Sequence, residues 1–140
     1  MSHPHGLPDL FLDRSLGRIQ VPTQLRAAGL RLTTLAERYG VGPDQFVTDV
    51  QWLEEAGRRG EAVFMKDSRI YVNPAERDMV QQFNVRCFCL ANRSLTANQM
   101  AEWFLNNLDV IATACAAPGL FMYIVYAQGM RRLENRRRED

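Results

Sequence analysis

The succession of apolar runs and capped amphipathic segments in this 140-residue chain predicts an α/β domain, with a mostly parallel central sheet and helices on both faces. Three observations carry that prediction. Short runs such as Leu10-Phe11-Leu12 and Ala62-Val63-Phe64-Met65 are apolar at every position, as strands buried on both sides must be. Segments of helical period follow them, opened by capping signals. Strand and helix then alternate along the whole length, with no internal repeat and no second domain.

Taken in order, Leu10 to Leu12 is the first strand and ends at Asp13. Leu16 and Ile19 start a helical pattern, Pro22 sits in its first turn and Gly29 stops it. Leu30 to Leu35 alternates like a strand, and residues 36–47, with Gly40, Gly42 and Pro43, read as a loop that can include a turn of helix. Thr48-Asp49-Val50-Gln51 is a capping box. The helix it opens has a buried stripe of Asp49, Trp52, Leu53 and Ala56, with Gly57 and Gly60 bracketing its end. Ala62 begins the central strand, which should end at Asp67. Asn73-Pro74-Ala75-Glu76 caps a helix facing inward through Met79, Val80 and Phe83, and Asn84 ends it. Val85 to Leu90 is another strand. Thr96-Ala97-Asn98-Gln99 opens the longest helix, with the stripe Met100, Phe104, Leu108, Ile111 and Cys115, broken by Pro118-Gly119. Phe121 to Tyr126 is the last strand, compatible with a central place in the sheet or with a homodimer face. The domain is expected over 9–127, between a flexible tail at 1–8 and a basic tail at 128–140.

Composition narrows the class. Hydrophobic residues make up 46% of the chain and charged residues 24%, ordinary for a globular domain. No apolar run approaches the roughly 20 residues that span a bilayer, and the first residues lack a secretory layout, so a cytoplasmic protein without membrane contact is expected. Cys87, Cys89 and Cys115 have no metal-knuckle spacing, and both histidines lie near the N-terminus. A zinc site is therefore disfavoured, and the thiols read as small buried groups. Of the 17 cations, Lys66 is the sole lysine. Arginine suits phosphate, although a coding bias explains the same count. The run Arg131 to Arg138 is either a solvated tail or a lure for nucleic acid.

Chemistry gathers at the carboxyl ends of parallel strands. Asp13 and Asp67 stand at two such ends, and Asp49 opens a helix from a buried-stripe position. Taken singly, each reads equally well as a cap or turn residue. Together they would repel unless a cation joined them. A hard divalent ion, Mg2+ or Mn2+, takes oxygen ligands and leaves positions for phosphate oxygens. Such a pocket among arginines suits phosphodiester hydrolysis.

The blocks Phe11-Leu12-Asp13-Arg14-Ser15-Leu16-Gly17-Arg18, Thr48-Asp49-Val50-Gln51-Trp52-Leu53 and Phe64-Met65-Lys66-Asp67-Ser68-Arg69-Ile70 resemble the blocks of PIN-like nucleases. Among these the compact VapC-type toxins of bacterial toxin–antitoxin pairs are most similar, and the resemblance runs from about Leu10 to Leu133. It implies a PIN-like fold and a magnesium- or manganese-dependent endoribonuclease, restrained by a cognate antitoxin over its acidic site. Carried over residue by residue, Asp13 would be the first-strand metal ligand, Asp49 the acid opening the central helix and Asp67 the acid ending the third strand. Glu37 is the candidate fourth acid, with Glu76 behind it because capping already explains that residue. Arg14, Lys66 and Arg69 would meet RNA phosphate or antitoxin carboxylates.

Two other classes compete. A non-catalytic PIN-like module would hold RNA or protein without cutting, and loss of an acid would favour it, but all three are present. A phosphotransfer receiver needs an acid pair after its first strand, where this chain has Asp13 alone, and Lys66 lies beside Asp67 rather than on the last strand.

Overall fold

The fold is that of a computed structural model, which describes residues 2–66, 78, 82–117 and 121–133. Six strands form one sheet: β1 (Leu10–Leu12), β2 (Leu32–Thr34), β3 (Ala62–Met65), β4 (Arg86–Leu90), β5 (Phe121–Val125) and β6 (Met130–Arg132). Their order is β2-β1-β3-β4-β5-β6. All neighbours pair in parallel except β5 and β6, which are antiparallel. Five α-helices lie among the described residues: α1 (Gln20–Ala27), α2 (Leu35–Tyr39), α3 (Asp49–Arg59), α4 (Ala97–Asn106) and α5 (Leu108–Ala116).

Side chains alternate across the sheet with the period of two that strands impose. Leu10, Leu12, Phe64, Phe88 and Leu90 face α1, α4 and α5, joining Val21, Leu25, Met100, Phe104 and Ile111 in one cluster. Phe64 stacks on Phe104 with ring centroids 4.1 Å apart. On the opposite face Phe11, Val63, Met65, Cys87 and Cys89 meet Leu35, Trp52, Leu53 and Ala56 from α2 and α3. The expected α/β layering, with helices on both faces, is what the chain adopts. Burial pushes the Cys87 thiol far up from its ordinary value, with the charge of Asp13 adding to the effect. Cys115 is raised by burial to about 11. No disulfide joins the three buried cysteines, and Cys87 and Cys115 stay protonated near neutral pH.

Several elements differ from the sequence-based expectation. Residues 36–47, expected as a loop that can include a turn of helix, carry most of the five-residue α2 and a 3-10 turn at Pro43–Phe46. Thr34 caps α2 in a reciprocal capping box with Glu37, a signal hidden by the neighbouring glycines. The single long helix is two, divided at Asn107. This buried residue turns its amide to Trp103 O (2.7 Å) and Tyr126 O (2.8 Å), and accepts from Gly129 N (2.7 Å). Its stripe is nonetheless buried as expected, from Met100 to Cys115. Helix α3 ends at Arg59 with Gly60 as its left-handed cap, between the two glycines expected to bracket its end, and Gly57 lies within its last turn. A Cβ at Gly57 would stand 2.5 Å from the Phe83 carbonyl oxygen; glycine here permits a close backbone approach.

Both expected tails contain ordered contacts. Residues 130–132, assigned by the sequence reading to a basic tail, form β6 against β5. That pairing places β5 inside the sheet. At the other end Leu7 is buried, and His3 bonds to Leu7 O at 2.8 Å and to Arg31 N at 3.0 Å. The expected cap at Asn73 and the inner residues Met79 and Val80 lie outside the described residues; Phe83 packs on the α3 face. Among the described residues, no helix is long and apolar enough to cross a membrane.

Candidate active site

The strand order reverses at β1, which pairs with β2 on one side and β3 on the other. Such a switch point opens a crevice at the carboxyl ends of the strands, because the connections leave toward opposite faces. Asp13 is the residue immediately after β1. Its backbone N–H continues the ladder to Phe64 O at 3.2 Å, and it is only 6% exposed. The side chain caps a 3-10 turn at Arg14–Leu16. Oδ1 accepts from Ser15 N at 3.0 Å and from the Ser15 hydroxyl. Ser15 Oγ in turn accepts from Lys66 N at 3.0 Å. One hydroxyl therefore fixes the carboxylate after β1 to the chain leaving β3.

The crevice is a cleft of about 320 Å³. Asp13, Arg14, Gly17 and Arg18 line one side, with Thr34, Leu35 and Ala36 at the head of α2 and Asp44 and Gln45 of the 3-10 turn. Gly17 ends the Arg14–Leu16 turn at φ 84°, a conformation that a side chain would strain. Arg14 reaches across the chain, where Nη2 donates to Asp44 O (3.1 Å) and Val47 O (2.8 Å). That clasp holds the segment leading into α3 against the turn after β1. Thr48 then opens α3 in the expected capping box with Gln51.

Asp49, the first residue of α3, is half-buried and accepts from Trp52 Nε1 at 2.9 Å. The sequence reading placed it on the buried stripe; Trp52, Leu53 and Ala56 are fully buried there, and Asp49 sits at the stripe's margin. Asp67 and Arg69, the other expected ligand and phosphate contact, lie outside the described residues. Among the described residues no group of three or more His, Cys, Asp or Glu side chains gathers closely enough to hold a metal ion. Lys66 is half-buried and enters the site through its backbone.

Glu37 is tied up structurally. Oε1 accepts from Thr34 N (3.0 Å) and Arg26 Nη2 (2.6 Å), and Oε2 from Arg26 Nη1 (2.8 Å). The Arg26 guanidinium holds its carboxyl below the ordinary carboxylate value. A second pair, Arg38 and Glu61, is buried, with Nη1 to Oε1 at 2.8 Å and the guanidinium 4.7 Å above the Phe11 ring. It joins α2 to the residue before β3. The sequence reading missed Ser15, Thr34 and Asp44 as site residues. Ser15 stood in the Asp-x-Ser spacing that favours a side chain accepting from the backbone two residues on.

The model of the family described as "PIN like domain" matches residues 8–92, which include β1 to β4 and the whole cleft. The chain belongs to the PIN-like domain family. A protein of Mycobacterium tuberculosis (strain ATCC 25618 / H37Rv) named "Putative ribonuclease VapC45" is 41% identical over 120 residues, covering 86% of this PIN-like domain chain and 87% of that protein. No solved structure matches. The expected family and fold are thus both met.

Proposed function

We propose that this PIN-like domain is a Mg2+- or Mn2+-dependent endoribonuclease, the toxin of a toxin–antitoxin pair, with Asp13, Asp49 and Asp67 as its catalytic metal ligands. The observation that carries the reading is Asp13: a buried carboxylate at the switch point, at the base of an arginine-flanked cleft. Membership of the PIN-like family and a 41% identical relative named a ribonuclease support it.

The donor chemistry fits a hard divalent ion. The proposed ligands are all carboxylates, the type that Mg2+ and Mn2+ take. Two of them are already oriented by a neighbour, Asp13 by Ser15 and Asp49 by Trp52, as ligating carboxylates usually are. A bound ion would neutralise the acids, lower the pKa of its bound water and stabilise charge developing on the phosphate oxygens. Arg14, Arg18, Lys66 and Arg69 would hold flanking phosphates or, in the inhibited complex, antitoxin carboxylates. Glu37 stays outside the ligand set, since Arg26 and the Thr34 N–H occupy its oxygens. A cytoplasmic setting agrees with three buried cysteines that no disulfide joins.

The test is cleavage of single-stranded RNA by the full chain with manganese or magnesium. Asp13→Asn and Asp67→Asn should each lose activity by roughly a hundredfold or more while circular dichroism and melting stay near wild type. Either variant cutting at the wild-type rate removes the metal-ligand reading. A wild-type chain that binds RNA and never cuts it leaves the non-catalytic module instead.

A further inference from the structure

The 3-10 turn that lines the cleft is flanked by two exposed apolar side chains that the acid chemistry does not use. Phe46 closes the 3-10 turn whose Asp44 and Gln45 line the cleft with Asp13. It is 78% exposed, and Val41 beside the same turn is 69% exposed. Scattered surface apolar residues are ordinary, but this one sits on a prepared mount. Arg14 holds the turn through the carbonyls of Asp44 and Val47. The Asp44 carboxylate accepts from Gly42 N at 3.1 Å, and Asp44 N donates to Gly40 O at 2.9 Å. Val47, the next residue, is half-buried and packs against the core, so the turn is anchored immediately beside the exposed ring.

We propose that Phe46 is a stacking platform for a nucleobase of single-stranded RNA next to the bond held in the cleft; the proposal rests on the ribonuclease reading above. An aromatic face accepts any base, and cations alongside follow the backbone, which is how single strands are held without sequence readout. Arg14 and Arg18 line the same cleft and supply that charge. A protein partner needs about 800 Å² on each side, and the apolar tip of this turn is two residues wide. One flat ring suits it better.

Binding of a fluorescently labelled single-stranded RNA to the full chain, read by anisotropy in an Asp13→Asn background that cannot cut, tests the proposal. Phe46→Ala should weaken binding roughly tenfold, and Phe46→Trp should restore it. A single abasic nucleotide, walked along the RNA, should at one position cost the parent the same factor and cost Phe46→Ala nothing further. Val110→Ala, on an exposed position of α5, should leave binding unchanged. In the cutting chain, Phe46→Ala should raise KM with kcat within about twofold. Undiminished RNA binding by Phe46→Ala overturns the platform, including the case where that variant instead loses a protein partner. If the parent binds RNA and the wild-type chain never cuts it, the ribonuclease reading fails while the anisotropy still judges Phe46. A parent that binds no RNA defeats both.

Discussion

Ser15 is the joint on which the site turns. Its hydroxyl donates to Asp13 and accepts from Lys66 N, a residue 51 positions away. Ser15→Ala removes both contacts and leaves an N–H unanswered, which costs about 1–3 kcal/mol where water is excluded. Urea denaturation should show that loss. Because the carboxylate also loses its orienting donor, cleavage should fall roughly tenfold to a hundredfold in protein that remains folded. Wild-type stability together with wild-type activity would contradict the role. The position of Asp13 was legible at this scale, because a carboxylate directly after a buried apolar run comes out at the strand's carboxyl end. Ser15 was only half legible: its local turn follows from spacing, whereas its bond to Lys66 depends on β1 and β3 lying side by side. Glu37 is the contrasting case: the resemblance made it the candidate fourth acid, while the structure shows it bonded to the Thr34 cap and to Arg26.

At the scale of elements, capping boxes were the dependable signals. Thr48 and Thr96 open α3 and α4 as expected, since the motif is complete within four residues. Signals that depend on distant partners were lost. Asn107 divides α4 from α5 because it bonds to the distant backbone of Tyr126 and Gly129, and nothing near Asn107 in sequence announces them. β6 was hidden for a related reason: its arginines are exposed on an edge strand, where charge is common and reads as tail. Gly57 and Gly60 do bracket the end of α3, but the reason for glycine at 57 is proximity, which the sequence does not show. Alanine there would gain up to ~1 kcal/mol in helix propensity. The new Cβ would nevertheless meet the Phe83 carbonyl at 2.5 Å and Phe83 Cβ at 2.7 Å, and such overpacking costs about 1–3 kcal/mol. Gly57→Ala should therefore lower the urea midpoint without changing the slope. A midpoint raised above wild type would show that α3 and the Phe83 backbone separate freely.

For the molecule as a whole, alternation of strand and helix pointed to the parallel sheet and its two covered faces, because burial on both sides leaves no other use for such apolar runs. Strand order could not be read the same way. It was the reversal at β1, visible only in the pairing with both β2 and β3, that placed the cleft over Asp13. The Arg14 clasp then ties the segment before α3 to the turn after β1, a link between positions 30 and more apart that a linear reading does not express. The proposed chemistry depends on the carboxylates of Asp13, Asp49 and Asp67 acting as one site. Calorimetric titration of the full chain with Mn2+ tests this most directly. The expected result is saturable binding in the wild type that Asp13→Asn, Asp49→Asn and Asp67→Asn each weaken by roughly tenfold or more. Wild-type protein that takes up no manganese, or three variants that bind it as the parent does, would contradict it.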